Sequence, residues 1–187
     1  MKTGPCGEMI HHKDKDMKRE NKVTPLTISW LLENVSKQLN NLTELKQTHK
    51  GYQVRGIDLI GYNDQGKITL EIKHRYKEYQ DLLIETKSKK IRDTPGWIDY
   101  SKADYLVYVF VIKSKIENGY VFDLKKLKTW WTTQNKEKYQ IKDAVNQGYI
   151  TENRAVPIKD IPNDIFIFSN VKHNKITTEF KLSNFLR

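Results

Sequence analysis

The chain has 187 residues, and its 33 Lys and Arg against 23 Asp and Glu give a formal net charge of +10 and a pI of about 9.5. This length suits one domain with one hydrophobic core. The basic excess favours a polyanionic partner such as nucleic acid, although surplus lysines on solvated faces would give the same charge. The single Cys6 excludes an internal disulfide, and no run of 18 apolar residues predicts a membrane span.

The N-terminal part of the chain is predicted to form a polar lead-in followed by one amphipathic helix. Residues 1–22 combine Gly and Pro with dense charges and few apolar side chains, so we expect a flexible or loosely helical segment ahead of a domain spanning 23–187. Thr24 and Pro25 suit an N-cap and the first helical position, and the spacing of apolar residues predicts a helix over 25–42. Those apolar residues are Ile28, Leu32, Val35, Leu39 and Leu42.

A β-hairpin is predicted at residues 57–73, after a polar segment (43–55) that includes a short approach strand. Two short apolar strands, 57–62 and 67–73, are joined by Asn63-Asp64-Gln65-Gly66. This four-residue sequence is typical of a tight turn between antiparallel strands.

Charged side chains interrupt this hairpin at positions that bring them together. Because side chains alternate along a strand, Glu71 and Lys73 share one face, and Asp58 on the partner strand lies within a few ångströms of Glu71. Two carboxylates this close are costly unless a divalent cation such as Mg2+ lies between them. A nearby ammonium can orient a metal-bound water or offset charge on a phosphoryl oxygen. The set suits phosphodiester hydrolysis, although an exposed Glu-x-Lys pair without a function is also common on strands.

This hairpin resembles the PD-(D/E)xK nuclease superfamily, in which an acid opens one strand and Glu-x-Lys lies on the next. Here Gly56-Ile57 precede the acid, where the family pattern has Pro. The resemblance implies a restriction-endonuclease-like α/β fold, with a mixed central β-sheet flanked by helices in a single domain. It also implies that Asp58, Glu71 and the Ile72 carbonyl bind Mg2+, with Mn2+ as a substitute, and that Lys73 positions the attacking water.

A helix glutamate is a further candidate for the site. The run Leu32–Leu39 is similar to the first helix of the phage T7-type junction-resolving endonuclease, where a helix glutamate ahead of the two strands joins the metal site. This similarity implies that Glu33 is a catalytic carboxylate, although the helical pattern alone favours a solvated glutamate. Glu20 and Glu85 are two other candidates for an extra carboxylate.

The order of segments after the hairpin carries a second resemblance. Residues 82–86 are predicted as a third strand of the central sheet and 106–112 as a strongly apolar strand, with Gly96-Trp97-Ile98 and the run Ser101–Tyr105 between them. This order is similar to that in small phage and bacterial PD-(D/E)xK proteins. Helix capping is the alternative role for Ser101. Candidate nucleic-acid contacts are Arg75, Lys77, Trp97, Ser101 and Lys102.

The C-terminal part is predicted to continue the sheet and add a helix. An antiparallel return strand is expected at 120–123, after Gly119, and a basic amphipathic helix at 124–133, where one of Trp130 and Trp131 packs inward. Further predicted segments are an irregular stretch over 134–160, a strand over 165–168 and one or two helical turns over 179–187.

These predictions combine into one functional expectation, a Mg2+-dependent endonuclease acting on DNA. Branched DNA such as a Holliday junction is the favoured substrate, and RNA stays open. Cutting paired strands needs two sites, so we expect a homodimer. The alternative is a nucleic-acid- or protein-binding module on a nuclease scaffold without turnover. Without a signal-like segment, we expect a cytoplasmic protein of a bacterial or phage-infected host cell, with no membrane partner.

Overall fold

The chain folds as an α/β protein built on two β-sheets. The structure is a computed structural model that describes residues 13–146 and 148–170, with side chains from Lys22 onward except Glu117. The described residues form four α-helices and ten strands. The helices are α1 (Lys13–Asn34), α2 (Lys50–Gln53), α3 (Trp97–Tyr100) and α4 (Leu124–Thr132). The strands are β1 (Glu44–Gln47), β2 (Leu59–Asn63), β3 (Gly66–Arg75), β4 (Asp81–Lys89), β5 (Thr94–Pro95), β6 (Tyr105–Ile112), β7 (Lys115–Asp123), β8 (Gln140–Asn146), β9 (Tyr149–Pro157) and β10 (Phe166–Ser169).

The central sheet is mixed, which confirms that part of the prediction. Its strand order is β1-β2-β3-β6-β7-β10, and all neighbours are antiparallel except β3 and β6, which run parallel. The second sheet is antiparallel, in the order β5-β4-β9-β8. The prediction that residues 82–86 join the central sheet is wrong, because they lie in β4 of the second sheet. Parallel neighbours need a long crossover, and β4, β5 and α3 all lie on the crossover from β3 to β6.

The two faces of the central sheet are covered by different elements. α1 covers one face, where Leu31 joins a buried apolar cluster with Leu70 of β3. The other face packs on the second sheet, and Leu106 of β6 shares a cluster there with Ile84 of β4. A second sheet with two short helices therefore takes the place of the flanking helices expected on that side. Because side chains alternate along β3, Glu71 points to the face that the two sheets share.

The first helix differs from its prediction at both ends. α1 runs through Pro25 and gives way to a 3₁₀ turn (Lys37–Leu39), instead of spanning 25–42. Proline removes one i→i−4 hydrogen bond from a helix, and Val23 in the preceding turn is buried. The predicted domain boundary at residue 23 therefore falls inside α1. Residues 1–12 of the predicted lead-in and the predicted turns over 179–187 lie outside the described ranges.

The stretch 134–160, predicted to be irregular, contains the strands β8 and β9. Buried polar residues hide the strand pattern in β9, and hydrogen bonds satisfy them. Glu152 accepts a hydrogen bond from the Thr86 hydroxyl at 2.9 Å, and the Asn153 amide donates to the Lys142 carbonyl at 3.1 Å. Alternation of apolar and polar residues could not reveal a strand in which consecutive buried positions are polar.

The predicted return strand is confirmed, but it is longer than expected. β7 runs antiparallel to β6, and the turn between them is Lys113-Ser114 rather than Gly119. Both turn residues have positive φ, 48° and 63°, as in a type I′ turn. Asn and Gly are the usual residues of that turn, so its sequence gave no signal here. No helix in the described ranges is long and apolar enough to cross a membrane.

α4 and its tryptophans follow the prediction. The Asp123 side chain caps the helix by accepting a hydrogen bond from a main-chain N–H in the first turn. Trp131 packs inward and is only 2% exposed. Trp130 is half-buried and lines a surface groove of about 620 Å³ together with Pro162 and Ile165.

Candidate active site

The hairpin places Asp58 at the end of the β2–β3 ladder. The last residue pair of that ladder is Leu59 and Leu70, and the Asp58 N–H still donates to the Leu70 carbonyl at 2.8 Å. Beyond it, the Asp58 carboxylate accepts a hydrogen bond from the Ile72 N–H at 2.7 Å. The side chain of Asp58 thus takes the place of a main-chain acceptor where β2 begins, and this fixes it beside β3.

Glu71 and Lys73 form a close ion pair between the two sheets. The Glu71 Oε1 and Lys73 Nζ atoms lie 2.6 Å apart, and the two side chains are 3% and 31% exposed. Burial of the Lys73 ammonium lowers its pKa, but the charges of Glu71 and Asp58 outweigh this effect and raise the pKa above its ordinary value. Lys73 is therefore a protonated hydrogen-bond donor and not a neutral base.

Gly56 and Ser101 close the buried side of Glu71. Gly56 has a φ of +64°, and a Cβ atom at this position would lie 2.6 Å from Glu71 Oε2 and 2.7 Å from Ser101 Cβ. The Ser101 hydroxyl donates to the Gly56 carbonyl at 2.8 Å and lies 3.5 Å from Glu71 Oε2. Ser101 is only 2% exposed. Ser101, a predicted nucleic-acid contact, is thus buried, and its hydroxyl supports the main chain ahead of the predicted acid.

Glu85, proposed above as an extra carboxylate, lies on β4 near the same cluster. Its Oε1 atom accepts a hydrogen bond from the Trp97 N–H at 3.2 Å. Burial raises the pKa of Glu85, while the Lys73 charge and the hydrogen bond from Trp97 oppose that change and Glu71 adds to it. Glu85 is thus close enough to both members of the ion pair to interact with them electrostatically.

Two further residues of the predicted site, Trp97 and Glu33, lie outside the cluster of Asp58, Glu71 and Lys73. Trp97, a predicted nucleic-acid contact, is 2% exposed and belongs to the core between the sheets, so its ring presents no open face to a base. Glu33 is exposed on α1, which packs on the opposite face of the central sheet from Glu71. The structure therefore does not bring Glu33 into the cluster. Glu20 lies on α1, ahead of the described side chains.

Several cations lie around the cluster. Lys102 and Lys77 are exposed, and Arg75 is half-buried on the same strand as Lys73. Lys128 of α4 was not predicted as part of the site, yet its ammonium donates to the Ser101 carbonyl at 2.5 Å. Burial and the nearby Lys102 charge lower the pKa of Lys128. Only the tertiary packing of α4 could have revealed this contact.

Within the described ranges the Glu-x-Lys spacing occurs on three strands, and their surroundings differ. Glu44 and Lys46 of β1 form a 2.7 Å ion pair whose side chains are 49% and 70% exposed. On β4, Glu85 is followed by Lys87, which pairs instead with Asp93 at 2.6 Å. The pair on β3 thus combines a buried glutamate with a neighbouring aspartate.

The oxygen atoms of the cluster that could hold a metal ion are those of Asp58, Glu71 and the Ile72 carbonyl. No group of three or more His, Cys, Asp and Glu side chains within residues 13–146 and 148–170 is arranged to hold a metal. The N–H and C=O of a strand residue point to the same edge, so the Ile72 carbonyl points towards Asp58, as its N–H does. Two carboxylates and one carbonyl suit Mg2+, which prefers oxygen and completes its shell with water and substrate phosphate.

No model of a known protein family matches the chain, and no curated protein matches its sequence.

Proposed function

We propose that the protein is a metal-dependent endonuclease that hydrolyses phosphodiester bonds of DNA. The observation that carries this proposal is the 2.6 Å pair between the buried Glu71 carboxylate and the Lys73 ammonium, beside the carboxylate of Asp58. Burying a carboxylate is costly unless it is paired or bound to a cation. An ion pair that is closed on one side and 31% exposed at its lysine suits a reaction centre better than a purely structural contact.

In the proposed mechanism, Asp58, Glu71 and the Ile72 carbonyl would hold Mg2+. When bound, the ion would act as a Lewis acid and activate water. The chain's own contribution is placement and charge. Ser101 and Gly56 fix the Glu71 carboxylate from behind. Lys73, whose pKa is raised, would remain protonated and donate a hydrogen bond to the phosphoryl oxygen or the attacking water.

The charge distribution supports a nucleic-acid substrate. The net charge is +10, and Lys77, Lys102 and Lys128 lie near the cluster or just after β3. Lysines at such positions neutralise phosphates without reading sequence. We further propose that the protein acts in the cytoplasm of a bacterial or phage-infected cell. A version that cuts both strands of a branched junction needs two such sites, and hence a two-fold homodimer.

A cleavage assay with a matched control tests this function. Labelled duplex, single strand, four-way junction and RNA are incubated with the full chain in Mg2+ or in EDTA. Lys73→Ala should lower the cleavage rate roughly 100-fold or more, because it removes a donor at the reacting phosphate. Lys46→Ala breaks the exposed Glu-x-Lys pair of β1 and should leave the rate unchanged. Thermal melts of both variants verify that they fold.

Two results would decide against the enzyme. Cleavage that persists in EDTA would rule out a metal held by Asp58 and Glu71. Equal effects of Lys73→Ala and Lys46→Ala on cleavage would rule out a role for the Glu71–Lys73 pair in the reaction. Tight binding of nucleic acid by the wild type without any cutting would favour the alternative function, a binding module on a nuclease scaffold.

A further inference from the structure

The loop that follows the site strand carries exposed aromatic rings. The β3–β4 loop (residues 76–80) leaves the central sheet after Arg75 and enters the second sheet at Asp81. All five of its residues are exposed, and Tyr76 and Tyr79 each keep 37% of their surface accessible. Each tyrosine thus presents part of its surface to solvent, where an aromatic side chain can contact a partner.

Two cations lie against one of these rings. The Arg75 guanidinium carbon is 4.5 Å from the centre of the Tyr79 ring, and the Lys77 ammonium is 5.4 Å from it. Arg75 is itself held in place, because it donates to the Tyr108 hydroxyl at 2.7 Å and lies 3.8 Å from the Asp81 carboxylate. The loop and the adjoining end of β3 therefore bring aromatic rings and cationic side chains together, the two features by which proteins bind unpaired nucleic-acid strands.

The rest of the loop is anchored to both sheets. Glu78 is the one acid among residues 76–80, and its carboxylate accepts a hydrogen bond from the Asn118 amide of β7 at 2.8 Å. The Gln80 carbonyl accepts from the Ile158 N–H at 3.0 Å, which ties the end of the loop to the second sheet. A surface fixed in this way loses little conformational entropy on binding.

The loop also lies in line with the proposed reaction centre. Lys73 and Arg75 share one face of β3, and two residues of a strand span about 6.6 Å. A strand whose phosphate contacts Lys73 can therefore continue past Arg75 to the β3–β4 loop. In a duplex each base is stacked between its neighbours, whereas an unpaired base presents a free face to a tyrosine.

We propose that the β3–β4 loop binds an unpaired nucleic-acid strand, with bases stacked on Tyr76 and Tyr79 and phosphates contacting Arg75 and Lys77. This inference rests on the proposed function, and it assigns to that site substrates with a single-stranded segment next to the cut. Flaps, open junctions and free single strands belong to this class, whereas a continuous duplex does not.

Binding assays with the full chain in EDTA test the loop separately from catalysis. Fluorescence anisotropy is measured with labelled oligo-dT, oligo-U and a duplex of equal length. Tyr79→Leu and Tyr76→Leu should each weaken binding of the single strands about tenfold, the usual effect of losing one stacked base, and should change duplex binding less than about twofold. Tyr149→Leu removes a similarly exposed tyrosine, 40% accessible, at the start of β9 and should have no effect.

Each remaining outcome bears on the inference. Equal affinities for oligo-dT and oligo-U would support recognition of an unpaired strand with either sugar, and a preference would name the substrate. The inference would be overturned if Tyr79→Leu and Tyr76→Leu lost equal affinity for single strand and duplex, or lost no more affinity than Tyr149→Leu. A lack of binding to any oligonucleotide would overturn it as well. If single strands bind through Tyr79 but nothing is cut, the proposed enzyme fails while the binding surface stands.

Discussion

Gly56→Ala should destabilise the protein, because the added methyl group would clash with Glu71 and Ser101 in the candidate site. Gly56 has a left-handed φ of +64°, which costs an L-residue about 1–2 kcal/mol. The new methyl would lie 2.7 Å from Ser101 Cβ, an atom that cannot rotate away, and 2.6 Å from Glu71 Oε2. Overpacking of this kind typically costs about 1–3 kcal/mol. Because alanine also restricts the unfolded chain, which recovers about 0.4–1 kcal/mol, we expect a net loss of about 3 kcal/mol.

Thermal unfolding followed by circular dichroism measures this loss. For a chain of this size, about 3 kcal/mol corresponds to a decrease in Tm of about 6–12 °C. Gly148→Ala is the control, because Gly148 has a φ of +86° and no atom within 4 Å of the added carbon. Combining Gly56→Ala with Ser101→Gly should cost less than the sum of the single changes. A decrease in Gly56→Ala no larger than that in Gly148→Ala would refute the proposed packing of Gly56 against Glu71 and Ser101.

Two further predictions concern buried side chains. Burial, with a contribution from Lys73, lowers the pKa of His74 from 6.5 to about 4, so the unfolded chain takes up the proton first as the pH falls. The free energy of unfolding should therefore fall by about 3 kcal/mol between about pH 6.5 and pH 4. Urea unfolding midpoints measured in EDTA should depend less on pH in His74→Gln than in the wild type, whereas His49→Gln should match the wild type. Equal pH dependence in all three proteins would contradict this prediction. Trp131→Ala should lower the free energy of unfolding by about 3–5 kcal/mol, and Trp130→Ala should lower it clearly less, because of the two rings Trp131 is the fully buried one. Urea unfolding measures both losses. Equal losses would show that burial does not distinguish the two rings.

Local chemistry made the hairpin predictable. The turn over 63–66 and the alternation of side chains depend on residues close in sequence. The predicted strands, 57–62 and 67–73, accordingly agree with the bounds of β2 and β3 to within two residues. The same reasoning located α4, whose amphipathic pattern and Asp123 cap lie within a few residues of each other.

Partners distant in sequence were not predictable in the same way. β4 has a clear strand pattern, but its sequence does not say that it pairs with β9 instead of joining the central sheet. β9 was missed because Glu152 and Asn153 are buried polar residues that find their hydrogen-bond partners on other strands. α1 was misplaced because the helix continues through Pro25 into the residues before it, whereas proline usually marks the start of a helix.

The sequence by itself determined the hairpin, the adjacency of Asp58, Glu71 and Lys73, and the basic charge, because these follow from strand alternation and composition. Only the tertiary structure decided which of the three Glu-x-Lys pairs on the described strands is buried. It also decided that Ser101 and Lys128 support the buried pair, while Glu33 lies elsewhere. The physical reason is that burial and hydrogen bonding between segments far apart in the chain depend on how whole sheets and helices pack, which no local pattern encodes.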